Sequence, residues 1–260
     1  MQRYFITPAQ WAGDTVVIQG DDAHHIIRVM RAKPGDAFIV SDGESREAIV
    51  KVRTVGKDEV TADPVEWLAM ENEPSVDVWI AQSLPKGDKM ELVIQKGTEI
   101  GAARFLPFVS ERTVVQLDGK KEGKRVERWQ KIAKEAAEQA HRNKVPAVDS
   151  PLAWKALLQR ASEADCAWIC YEKESAQELR TEIRRALAPK EGDTARRTLL
   201  LIVGPEGGFT EQEVAAAEAA GCRSVGLGKR ILRTETAAMV GLTCILYEAG
   251  EMGGAPAWQQ

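Results

Sequence analysis

Residues 199–203, Leu-Leu-Leu-Ile-Val, are apolar at every position and run straight into Gly204-Pro205-Glu206-Gly207-Gly208-Phe209-Thr210. A strand with one wet face alternates apolar and polar residues. A strand apolar on both sides of its pleat must be covered on both faces, as in a parallel sheet between two layers of helices. Ligands of such sheets bind beyond the carboxyl ends of the strands. The glycine string sits at that end, and Thr210 with Glu213 three residues on is a capping box that opens a helix. The sequence therefore predicts an α/β fold with a binding site at this corner.

From about residue 71, β-type and helical patterns alternate. VDVWIAQSL, a helix over 86–100, RFLPFVS, and a long helix from about 125 to 142 come first. A helix opened by Ser150-Pro151, CAWICYE, a helix over 176–187, TLLLIVG, a helix from Glu211, RSVGLG and a final helix follow. The first seventy residues read differently: RYFI, TVVI, DAFIVSD, REAIVKVRTV and EVTADPVEW, punctuated by Asp42-Gly43 and Gly56-Lys57, suggest a small barrel. One helical insert, DDAHHIIRVMRA, interrupts them, with Asp21 or Asp22 able to cap it and Pro34-Gly35 ending it. The expected organisation is a barrel over 1–70, a linker over 71–75 and an α/β domain over 76–260, which suits a chain of 260 residues at roughly 150 per domain.

At 44% hydrophobic and 28% charged residues, the chain can bury a sizeable core. Its longest nearly apolar run, 237–247, is far short of the roughly 20 residues that span a bilayer, and MQRYFITPAQ lacks the features of a signal or transit peptide. A cytoplasmic protein is expected. Four cysteines without CxxC spacing and three histidines argue against a metal site or a disulfide framework; Cys166 and Cys170 read as small core hydrophobes. A net charge of −4 excludes coating nucleic acid through bulk positive charge. Residues 112–134 nevertheless carry eight Lys and Arg against three acids, a candidate anion surface.

The glycine corner has neither GxGxxG spacing nor a Gly-Lys-Ser/Thr, and Glu206, Glu211 and Glu213 already occupy the positive end of the following helix. A triphosphate would be repelled. A ligand without phosphates, contacted through exposed backbone groups, suits it better, and an adenosyl sulfonium cation fits that description. A second corner, Gly226-Leu227-Gly228-Lys229-Arg230-Ile231-Leu232-Arg233-Thr234-Glu235-Thr236-Ala237, again follows a short strand and opens a helix, so both can share one pocket. The last helix is apolar nearly all round, which predicts burial in the core or against a second copy in a homodimer.

GPEGGFT and LGKRILRTETA, together with KGDKMELVIQKGTEIG, SERTV and EAAEQAHRNKVP, resemble the RsmE family nearly end to end. These are uridine-N3 methyltransferases of 16S ribosomal RNA within the SPOUT superfamily. The resemblance implies an N-terminal PUA-like β-barrel, a C-terminal SPOUT domain tied in a deep trefoil knot, a homodimer, and 16S rRNA within the small ribosomal subunit as substrate. It implies S-adenosylmethionine as cofactor, held by three loops. These match Cys170, Tyr171 and Glu172; Gly204, Pro205, Glu206, Gly207 and Gly208; and Leu227, Gly228, Ile231, Leu232 and Arg233.

Uridine N3 carries a proton at neutral pH, so the site must accept it or stabilise the oxyanionic uracil that results. Arg233 is the first choice for the stabilising cation, with an ion pair to Glu235 or Glu206 as its competing role. Glu206, Glu235 and Glu99 are candidate proton acceptors, Glu235 ranked first, while Thr234 and Thr236 are read as helix caps. Candidate RNA contacts are His24, Arg28 and Arg31 on the N-terminal helix; Lys86 and Lys89, on one strip with Lys96; Lys121 and Arg125 in the basic stretch; and Arg142, on one helical arc with Arg128, Glu135 and Gln139. Two rivals stay open: action on transfer RNA or a ribose 2′-hydroxyl, and a non-catalytic ribosome-assembly factor, which would predict a spoiled cofactor loop.

Overall fold

The β-type runs of the first seventy residues all become strands, because each sends apolar side chains into one shared core. They are β1 (Arg3–Phe5), β3 (Thr15–Gln19), β4 (Ala37–Ser41), β5 (Glu47–Val55) and β6 (Glu59–Trp67), and the sheet adds a short β2 (Trp11–Ala12) that no run announced. The ladder runs β1-β4-β5-β6-β3-β2, parallel only between β1 and β4. Tyr4 and Trp11, from its two ends, lie in the same buried cluster as Val16, Ile18, Phe38, Val50 and Val60, so the sheet curls around its core. Register shifts at Ile49/Val50 and Val52/Thr54 supply local bends. The insert forms α1 (Gly20–His24), continued by a π-type turn over His25–Val29; its N-cap is Gln19 without a side-chain bond, and Asp21 and Asp22 lie inside the first turn rather than capping it.

The computed structural model describes residues 1–115, 119–173, 177–189 and 195–254, without the side chains of residues 120 and 121. It divides into two units, 1–73 with 137–145, and 74–136 with 146–260. The second unit holds β7 (Asp77–Ser83), α2 (Lys89–Ile100), β8 (Arg104–Val109), β9 (Ala147–Val148), β10 (Leu152–Ala153), α4 (Trp154–Ala161), β11 (Cys166–Cys170), α5 (Leu179–Leu187), β12 (Thr198–Val203), α6 (Glu211–Ala219), β13 (Arg223–Val225) and α7 (Thr234–Glu248). The helix α3 (Gly119–Gln139) begins in it and ends in the first unit. The strand order is β10-β8-β7-β12-β11-β13, with β9 beside β8, and every pairing is parallel.

The central apolar strand behaves as its composition demands. Leu200 and Ile202 join a cluster with Leu157 and Ala161 of α4 and Val214 and Ala217 of α6. Leu201 faces the other way: a Cβ on Gly241 of α7 would sit 2.4 Å from its Cδ2, so the glycine lets that helix lie against the sheet with Leu201 in its present rotamer. Fully burying each such side chain stabilises the fold by about 1.5–3 kcal/mol. On α3, Trp129, Ala133, Ala136 and Ala137 are buried, the face that the helical spacing predicts. No helix among the described residues is long and apolar enough to cross a membrane.

Candidate active site

Three neighbouring parallel strands, β12, β11 and β13, end at Val203, Cys170 and Val225, and the loops that leave them surround one cavity of about 520 Å³. Its wall is made by residues 170–172, 203–209 and 226–234, with Lys89 and Ala237. Cys170, Tyr171, Glu172, Gly204, Pro205, Glu206, Gly207, Gly208, Leu227, Gly228, Ile231, Leu232 and Arg233 all line it.

A buried polar clamp holds the corner to the last helix. Gln82, at the end of β7 and fully buried, donates from Nε2 to Ser83 O at 2.9 Å and to Thr234 Oγ1 at 2.7 Å. The Thr234 hydroxyl in turn donates to Gly204 O at 2.6 Å. Thr234 therefore does not cap α7: the N-cap is Arg233, whose side chain makes no capping bond. From outside, Arg112 Nη1 donates to Gly207 O at 2.7 Å, and Glu213 Oε1 accepts from Glu111 N–H at 2.8 Å. A Cβ on Gly207 would meet Arg112 Cβ at 3.3 Å. Gly208 adopts φ +65°, the left-handed conformation that favours glycine.

The charges divide into committed and uncommitted groups. Glu206 accepts from Lys86 N–H at 3.1 Å and from Lys89 Nζ at 3.0 Å. Burial pushes its carboxyl up, but the backbone N–H groups and the Lys89 ammonium outweigh that and hold it below the usual value. Lys89 is raised in return, first by its bond to Glu206, against some desolvation and with help from Glu235. Glu235, ranked first as proton acceptor, lies behind the wall, with its shielded Oε2 3.5 Å from Nζ of the wall lysine Lys89. Glu99 is paired with Lys96 and is also off the wall. Arg233 is exposed on the wall, and among the described residues it makes neither of the ion pairs considered for it. Desolvation pushes the Cys170 thiol up to about 12, so it is no thiolate at neutral pH. No group of three or more His, Cys, Asp or Glu that could hold a metal occurs among the described residues.

Residues 71–246 match an RNA methyltransferase domain family, and residues 18–65 match an RNA methyltransferase PUA domain. The Ribosomal RNA small subunit methyltransferase E of Bacillus subtilis (strain 168) is 43% identical over 257 residues, 98% of this chain and 99% of that protein. The chain belongs to the ribosomal RNA small subunit methyltransferase E family. Its Mycobacterium bovis member is 34% identical over 93% of this chain and 90% of its own length. The crystal structure of the family's Neisseria gonorrhoeae member, bound to S-adenosyl methionine, aligns with TM-score 0.80 and 29% identity over 95% of this chain and 98% of that one. A Legionella pneumophila methyltransferase in complex with the cofactor SAM aligns with TM-score 0.83 and 27% identity over the same shares.

The candidate RNA contacts of this family member separate by burial. His24, Arg28 and Arg31 are exposed on the N-terminal insert, and Lys86 and Arg125 are exposed in the second unit. The side chain of Lys121 lies outside the described residues. Lys89 is half-buried, with its ammonium against two carboxylates, Glu206 and Glu235. Arg142 is corrected. The helix ends at Gln139, His141 turns the chain at φ +56°, and Arg142 is buried at 5% exposure against Glu73, so it is on no exposed helical arc. Its expected arc-mate Arg128 pairs with Glu91. Sequence reasoning missed Lys229 and Arg230, exposed on the cavity wall beside Arg233, although the string GKRILR displays them. It also missed Gln82, for which the polar pair Gln82-Ser83 at the end of a mostly apolar strand was the signal.

Proposed function

We propose that the chain is an S-adenosylmethionine-dependent methyltransferase that methylates N3 of a uridine in 16S ribosomal RNA of the small subunit, acting in the cytoplasm as a homodimer. Residues 1–70 would be its PUA-like RNA-binding domain, 71–75 the linker and 76–260 the SPOUT domain with its trefoil knot. The carrying observation is Arg233, an exposed guanidinium with no partner among the described residues, on the wall of a cavity enclosed by three glycine-bearing or backbone-rich loops.

The wall suits the cofactor. It offers backbone groups at Gly204, Gly207 and Gly228 and the carboxylate of Glu172; Glu206 and Lys89 neutralise each other, and Lys229, Arg230 and Arg233 supply exposed positive charge for an RNA substrate. The loops 170–172, 204–208 and 227–233 would hold the cofactor, which supplies the methyl group. The remaining chemistry belongs to the protein. As the N3 proton leaves, negative charge grows on O2 and O4 of uracil, and Arg233 would stabilise that charge. Glu206 is committed to Lys86 and Lys89; Glu172 has no such commitment among the described residues and is the wall carboxylate left to accept the proton. The dimer is supported by an exposed stripe on α7 that includes Cys244 and Tyr247, the latter 62% exposed.

Arg233→Ala tests the assignment. Single-turnover methylation of small subunits should fall about 100- to 1000-fold, because the lost interaction is made mainly in the transition state. Calorimetry on the same preparation should show nearly unchanged binding of S-adenosylmethionine, with or without chelator. Normal turnover in a folded variant would remove Arg233 from the mechanism.

A further inference from the structure

We infer that the tip of the N-terminal insert, Arg28-Val29-Met30-Arg31, is an RNA-docking wedge in which the two apolar side chains pack against unstacked bases and the two arginines hold the flanking phosphates. This rests on the reading of the chain as an enzyme of small-subunit RNA.

The insert is anchored on one face and bare on the other. Ala23 and Ile26 are buried in the core of the first unit, Ile27 packs against that core, and the Tyr4 hydroxyl bonds His25 Nδ1 at 2.9 Å. The opposite side presents Val29 at 63% and Met30 at 50% exposure between exposed Arg28 and Arg31. The chain makes this display with a wide turn: Met30 N–H reaches His25 O at 3.0 Å and Ala32 N–H reaches Ile26 O at 3.1 Å. Arg31 takes φ +52°, a conformation in which an L side chain is disfavoured and glycine would be at ease. A π-type turn and a non-glycine residue in that region are both features that concentrate at functional sites.

Charge selects the partner. The tip, residues 23–35, contains Arg28, Arg31 and Lys33 and no acid, with Asp21, Asp22 and Asp36 at its base, whereas residues 1–73 as a whole hold more Asp and Glu than Lys and Arg. A polyanion approaching this unit is repelled over most of its sequence and attracted at this segment. Apolar side chains beside phosphate-binding cations are the equipment of proteins that unstack bases, and specific RNA recognition targets splayed single-stranded bases.

The test uses the full-length protein and small ribosomal subunits from cells lacking an equivalent enzyme. Met30→Ser combined with Val29→Ser should weaken subunit binding about tenfold or more, with the salt dependence unchanged. Arg28→Ala combined with Arg31→Gly should weaken binding and lower the log–log salt slope by about two, one for each lost phosphate contact. Relief of the left-handed strain should leave the melting temperature of that second variant equal or higher, the reverse of a structural role. Both variants should bind S-adenosylmethionine as wild type does. A photo-crosslinker in place of Met30 should capture rRNA. Unchanged subunit affinity in both variants, or crosslinking to a ribosomal protein instead of rRNA, overturns the wedge. Failure of the wild-type protein to methylate these subunits would instead sink the enzymatic reading, whatever the tip variants do.

Discussion

Replacing Thr234 by Val removes one hydroxyl from a site with 6% exposure and changes little else in shape. That hydroxyl donates to Gly204 O at 2.6 Å and accepts from Gln82 Nε2 at 2.7 Å. Valine leaves the Gly204 carbonyl and one Gln82 N–H without their main partners; Gln82 keeps Ser83 O at 2.9 Å and has only a 3.5 Å approach to Gly204 O as a substitute. Each stranded buried group costs about 1–3 kcal/mol, so with partial recovery by Gln82 the variant should lose about 2–4 kcal/mol. For a unit of this size that is a fall of about 4–16 °C in melting temperature. Because Gly204 forms the cavity wall, affinity for S-adenosylmethionine should fall with it, by about tenfold for each 1.4 kcal/mol transferred to the site. Differential scanning fluorimetry and calorimetry measure the two effects, and Thr234→Ser, which restores both bonds, should recover both. A valine variant melting within about 2 °C of wild type and binding the cofactor normally would refute the clamp.

Lys89→Met leaves Glu206 and Glu235 without their shared cation and should weaken cofactor binding while leaving the salt dependence of subunit binding unchanged; a residue that touched phosphate would lower the slope by about one. Glu206 has a folded pKa below its ordinary 4.5, so its tether contributes fully above that value and is lost as pH falls through the lower folded value. Glu206→Gln should accordingly flatten the acid side of the melting-temperature profile below about pH 4.5, and an unaltered profile would show that the Lys86 and Lys89 contacts do not hold the corner.

Local chemistry made much of this molecule legible before its structure. The run 199–203 reads as a central strand and is one, and the capping box of Thr210 and Glu213 does open α6, with Glu213 N–H donating to Thr210 Oγ1 and Thr210 N–H to Glu213 Oε2. The PUA-like and methyltransferase regions likewise follow from strand and helix periodicity together with the family strings. What sequence could not supply was direction. Glu235 and Arg233 stand two residues apart near the start of α7, yet one pairs with Lys89 and the other lines the cavity unpaired among the described residues, a difference set by helix phase and by a lysine from another element. Arg142 fits a helical arc only if the helix continues, and it ends three residues earlier. The clamp of Gln82 with Thr234 joins residues 152 positions apart, beyond the reach of any local pattern.

The most direct test of the central claim is to locate the methyl group. Purified protein, labelled S-adenosylmethionine and small subunits from cells lacking an equivalent enzyme are incubated together, and the 16S rRNA is digested and mapped by mass spectrometry. The account predicts one labelled methyl per subunit, on N3 of a single uridine, and none with Arg233→Ala over the same time. Label on a ribose 2′-hydroxyl, on another base, or on no RNA at all would contradict it.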